Sequence, residues 1–207
     1  MILCVHGYGV GLTIKPFTTA KSRETCGFEV FLPLIQEGAC TMFDWRISRP
    51  SSIVDSILHL TPLTLYFKEK KLTESGKLQY RLHQKIESDK IVTITAHSMG
   101  CRLVLNMIQN IGLPKSVKQI LFVAADIPHK IDLDFVPNNI TLISVFCPWD
   151  QELPWSQLLN WYIPAGLWGF KEKRVHNIFV PYFKGWDLHH GILKQQELFN
   201  TATHLSE

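Results

Sequence analysis

A chain of 207 residues is long enough for one hydrophobic core and short of the size at which cores divide, so a single domain over 1–207 is expected. An apolar fraction of 46% with only 19% charged residues excludes intrinsic disorder, and a formal net charge of +3 is too mild an electrostatic footprint for a nucleic-acid partner. Apolar runs stay far below the ~20 residues of a membrane-spanning helix. Five cysteines at irregular spacings suggest neither a disulfide framework nor a zinc site, which favours a reducing, cytoplasmic setting.

The chain opens on residues 2–5, an apolar run stopped by His6-Gly7-Tyr8-Gly9, the pattern of a fully buried strand ending at a glycine turn. With no basic leader or small-residue cleavage site before it, this strand is expected to begin the mature fold. A helix is expected over about 24–35, and a second strand over 40–45 follows Gly38 and closes before Arg49-Pro50. Residues 52–67 are apolar without a clean period and are interrupted by Pro62, so no element is assigned there. Leu78, Leu82 and Ile86 recur at a four-residue step and predict an amphipathic helix over 73–88. The β-branched run at 91–95 reads as a central parallel strand. A turn at 96–100 leads into a helix over about 101–110, ended by Gly112 and Pro114. Three further buried strands are expected at 119–124, 140–146 and 175–180, with a closing helix at 191–199. Short apolar strands alternating with helical patterns predict an α/β fold, a three-layer α/β/α sandwich around a mostly parallel sheet of about six strands.

Such sheets bind ligands at the carboxyl ends of their strands, so polar residues directly after strands carry the functional expectation. Ala96-His97-Ser98-Met99-Gly100 lies between a strand and a helix. Small residues at 96 and 100 permit a strained turn with Ser98 at its apex, and the helix N-terminus behind it favours an oxyanion. The bare small-x-Ser-x-Gly string occurs by chance in roughly one chain in ten of this length, and an N-cap serine is the plain alternative; the strand-turn-helix setting is what gives it weight. A serine hydroxyl needs an imidazole to take its proton and a carboxylate to hold that imidazole. Asp150, just beyond the strand at 140–146, is the expected acid, and Asp126, after the strand at 119–124, is the second candidate. The base is His189 or His190, in the loop before the closing helix, whereas His97 is expected to be structural. The N–H groups of Met99 and Tyr8 are the expected oxyanion donors. No Cys or carboxylate partners recur at metal-ligand spacing, and no cofactor is required.

The order Val5-His6-Gly7-Tyr8-Gly9, Ala96-His97-Ser98-Met99-Gly100, Asp150 and then His189 or His190 resembles the α/β-hydrolase superfamily, in particular its small serine esterases and lipases. The segment from Cys147 to Pro154 looks like the family's G-x-x-D-x-x-x-P acid turn, with Cys147 in place of the glycine. His189-His190-Gly191-Ile192-Leu193 resembles segments in which the base precedes x-Gly-apolar-Leu, while members with Gly directly after the base point to His190. The resemblance implies a minimal six-stranded member that cleaves carboxylic esters through an acyl-enzyme. A thioesterase on the same residues and an inactive binding protein of the same fold are the alternatives.

Between Asp150 and the last strand, residues 155–170 are unusually aromatic. A helix packed on the sheet, a wall of an acyl pocket and a peripheral lipid contact are three readings of that segment. The expected partner is a small-molecule ester or acyl compound with an apolar chain.

Overall fold

Six of the apolar runs become strands of one sheet because each is buried on both faces or shielded at an edge. A computed structural model describes residues 1–7, 28–45, 62–181 and 200. The strands are β1 (Ile2–Val5), β2 (Cys40–Phe43), β3 (Thr93–His97), β4 (Gln119–Val123), β5 (Thr141–Phe146) and β6 (Val175–Phe179). They lie in the order β2-β1-β3-β4-β5-β6, and every pairing is parallel, so the expected mostly parallel sheet is parallel throughout these strands. Every residue of β1, β3 and β4 is buried, whereas the edge strands β2 and β6 are only partly so.

Alternation along each strand feeds two cores. Leu3 and Val5 of β1 face Leu82, Ile86, Leu103 and Met107. Ile2 and Cys4 face the other way, toward Phe28, Phe31 and Leu153. The first layer holds α2 (Pro62–Thr73), α3 (Gly76–Ser88) and α4 (Met99–Asn110). The second is built from a 3-10 turn (Glu29–Phe31), α1 (Leu32–Gln36), α5 (Leu153–Asn160) and α6 (Ala165–Trp168). Helices thus cover both faces, giving the three-layer arrangement that buried parallel strands require.

Several boundaries differ from the sequence expectation for identifiable reasons. The described part of α2 begins at Pro62, a residue that suits a first helical turn because it has no intrahelical N–H bond to lose there. Residues 73–75 do not join α3; the Thr73 carbonyl is the acceptor for Gln79 Nε2 (2.8 Å) and Asn106 Nδ2 (3.0 Å), which pin a break between α2 and α3. β3 runs two residues later than the β-branched run suggests, since its register is set by β1, with Ile2 opposite Thr93 and Val5 opposite Ala96. Residues 24–27 and the closing helix expected at 191–199 lie outside the described residues.

Chain order reverses between β1 and β3: the first connection runs to one edge, and the next returns past β1 to its other side. That is the topological switch point, where a crevice opens at the carboxyl edge of a parallel sheet. Gly7 lies two residues beyond one of its two strands and Ser98 follows the other.

Candidate active site

Ser98 joins β3 to α4 with φ 51° and ψ −121°, a region that L-residues avoid. Three backbone bonds hold it there. Its N–H donates to Val123 O (2.9 Å), and its carbonyl accepts from the N–H groups of Cys101 (3.0 Å) and Asp126 (3.3 Å). The supporting segment is itself unusual, for Ala124 also has a positive φ of 45°. Strain of this kind costs about 1–3 kcal/mol and persists only where the surroundings over-determine it. Ser98→Gly, which suits the dihedral and removes the hydroxyl, is therefore expected to raise stability by about 1 kcal/mol in chemical denaturation; an unchanged or lowered midpoint would refute the strain.

Two glycines make the turn possible. A Cβ on Gly100 would lie 2.4 Å from His6 O and 2.6 Å from Val5 O, so α4 approaches the end of β1 at a distance no side chain permits. A Cβ on Gly7 would lie 2.6 Å from Ser98 Cβ, which puts the glycine after β1 directly against the serine. His6 is locked beside them. Its ring stacks on Trp45 with centroids 5.3 Å apart, its Nε2 accepts Trp45 N–H (3.3 Å), and its carbonyl accepts Trp45 Nε1–H (3.0 Å). His97 is buried with its ring edge-on to Phe28, in keeping with a structural role. The Cys101 thiol, three residues from Ser98, donates to Ala96 O (3.1 Å), and burial holds its pKa far above the ordinary thiol range, so it stays a neutral packing group.

The two candidate acids have contrasting surroundings. Asp150 lies beyond β5, separated from β3 by β4 alone, and parallel strands at ~4.8 Å spacing put those strand ends roughly 10 Å apart. Its Oδ1 accepts the N–H groups of Glu152 (2.9 Å) and Leu153 (3.0 Å), which fixes the carboxylate at the start of α5. Asp126 is buried in a cage of hydroxyls. Tyr66 donates to its Oδ2 (3.0 Å), Tyr162 donates to its Oδ1 (2.7 Å), and Ser156 also donates to Oδ1. Both tyrosine pKa values are pushed up, by burial first and the Asp126 charge second, so all three hydroxyls remain donors. Arg102, one turn into α4, donates to the Asp126 carbonyl (3.1 Å) and to the Tyr162 hydroxyl. The Asp126 carboxylate is thus spent on α2 and α5, tying both to the strand end that supports Ser98.

Sequence reasoning missed this cage. Its members come from positions 66, 102, 126, 156 and 162, with no linear signal beyond an acid after a strand. Ser98 and Asp150 are brought to one edge of the sheet, with Met99 opening α4, where the first-turn N–H groups have no intrahelical acceptor. Tyr8, His189 and His190 lie outside the described residues.

A parallel sheet in this order, covered by helices on both faces, carries a serine at a strained strand-to-helix turn beside its switch point, a three-layer arrangement like that of the α/β-hydrolases. Residues 76–143, from α3 through β3, the Ser98 turn and α4 into β5, match the sequence model of a family described as Serine hydrolase. No curated protein matches the chain. Among solved structures the chain is similar to one described as "Crystal Structure of a Thermostable Esterase", with 14% identity and a TM-score of 0.47. That similarity covers 98% of this chain and 54% of the other, so the chain spans about half the length of that structure.

Proposed function

We propose that the chain, as one domain over 1–207, is a serine hydrolase that cleaves carboxylic esters. The observation that carries the reading is the strained Ser98, held at φ 51° by backbone bonds and glycine contacts at the carboxyl edge of the sheet. A plain N-cap serine has ordinary extended dihedrals and caps the helix with its side chain, whereas Ser98 makes no side-chain cap bond.

In this reading the turn is a nucleophile elbow. His189 or His190 takes the Ser98 proton as the hydroxyl attacks the ester carbonyl, and Asp150 holds the imidazole in the required tautomer and stabilises its positive charge. Main-chain N–H groups of Met99 and Tyr8 receive the oxyanion, the former aided by the partial positive charge at the start of α4. The protonated histidine then hands its proton to the departing alcohol, leaving an acyl-Ser98. Water, deprotonated by the same histidine, releases the acid and restores the hydroxyl. Each step moves one proton, and the proposed chemistry calls on no metal or cofactor. The proposed substrate is a small ester with an apolar acyl chain.

A fluorophosphonate probe read by intact mass tests the reading. One covalent addition to the wild type and none to Ser98→Ala is the expected result. Equal behaviour of the two proteins, labelled or not, would remove Ser98 as the nucleophile.

A further inference from the structure

Helix α5 packs through Leu153 and Leu159 yet leaves other large apolar side chains outside. Its buried side carries Leu153 and the Ser156 hydroxyl bonded to Asp126, whereas Trp155 and Leu158 face solvent at 67% and 62% exposure. Trp161, at the next three-residue step, is 92% exposed. The segment does pack on the sheet, one of the readings of it, through Leu153, Leu167 and Phe170, so the exposed apolar side chains come in addition to that packing. Trp161 also closes α5 in the left-handed region, at φ 57° and ψ 32°, with its N–H on Gln157 O (3.0 Å). Glycine is the favoured residue at such a helix end, so a tryptophan there bears the steric cost of a β-carbon and buries almost nothing in return. The fold does not require it.

Leu158, Trp161 and Ile163 form the apolar wall of an open cleft of about 540 Å³, and His129 and Lys130 belong to its rim. The Lys171 N–H donates to His129 O (2.8 Å), so a second lysine lies next to that rim. Burial first, and then the charges of Lys171 and Lys130, lower the His129 pKa. No carboxylate lines the cleft among the described residues. Four of the six tryptophans of the chain lie between 149 and 168, and Trp149, Trp155, Trp161 and Trp168 are all more than half exposed.

We propose that this face docks on the anionic surface of a phospholipid bilayer, with the Trp155, Leu158 and Trp161 side chains in the headgroup boundary and Lys130 and Lys171 on lipid phosphates. Indole rings partition to that boundary, where an apolar body and a polar N–H are both satisfied. A lipid surface also needs no shape complement to side chains that project singly from a helix, whereas a protein partner would. The cationic rim without a facing acid selects negative charge. The inference stands apart from the chemistry proposed for Ser98.

Co-sedimentation of the full chain with vesicles of phosphatidylcholine alone, and of phosphatidylcholine mixed with phosphatidylglycerol, tests it. Two lysines at about one kcal/mol each give a roughly thirtyfold stronger partition to the mixed vesicles. Trp161→Gly, which suits the left-handed helix end and so keeps the thermal midpoint or raises it, is expected to weaken that partition at least about tenfold. Equal binding to both vesicle types, no binding, or an unchanged Trp161→Gly would overturn the proposal. So would a concentration-dependent dimer abolished by Trp161→Gly, which would assign the face to a second copy of the chain.

Discussion

Asp150→Asn is expected to lower kcat on a cleaved ester by roughly 10⁴-fold, while Asp126→Asn stays within about tenfold of the wild type. The contrast comes from what each carboxylate touches. At position 150 the amide oxygen keeps the two N–H bonds of Glu152 and Leu153, so the start of α5 survives and the variant folds. What it loses is the negative charge, and an amide N–H facing an imidazole selects the wrong tautomer. At position 126 an amide still accepts at one atom. The hydroxyl on the other side can turn, since Tyr66 and Ser156 lie 2.9 Å apart and either can donate to the other. The expected cost there is stability, about 1–2 kcal/mol, with a modest change in kcat. Steady-state kinetics of the two variants beside urea titrations decide the matter. If Asp126→Asn proved the slower enzyme at full stability, the acid would belong after β4 and the proposed triad would have to be redrawn.

Gly100→Ala is expected to destabilise the protein by about 3 kcal/mol or more, far beyond the effect of glycine to alanine within an ordinary helix, where alanine is preferred by ~1 kcal/mol. The reversal of sign is the informative part. Gly100 lies in the first turn of α4, where propensity alone favours alanine, yet its Cβ would meet the carbonyls of both Val5 and His6. Those atoms are backbone at the end of a central strand and cannot swing aside as a side chain would. The strain reaches Ser98 through β1 and Gly7, so probe labelling is expected to fall along with stability. An alanine variant of wild-type stability would mean that the α4 to β1 approach is looser than these contacts require.

The strand set was legible in the sequence because burial on two faces leaves a plain mark. Residues 2–5, 119–124, 140–146 and 175–180 are short apolar runs between turn signals, and each became a strand within a residue of the expected bounds. The strained serine was legible for a related reason, since a small residue, a serine and a glycine at fixed offsets between a strand and a helix leave the backbone few ways to turn. Helix ends were less legible. Pro62 and Ser75 are punctuation whose meaning depends on which backbone groups find tertiary partners, and Thr73 finds Gln79 and Asn106.

What the sequence by itself determined is thus the α/β class, the strand run and the placement of Ser98, Asp126 and Asp150 after strands, because each depends on local pattern and on which residues can occupy a sharp turn. The surroundings of Asp126 were decided only in three dimensions, since the hydroxyls of Tyr66, Ser156 and Tyr162 reach it from positions distant in the chain. The orientation of α5 was decided there too. Its tryptophans could face the core or the solvent by composition alone, and it is Leu153 in the core together with the bond from Ser156 to buried Asp126 that fixes the inner side and leaves Trp155 and Trp161 outside.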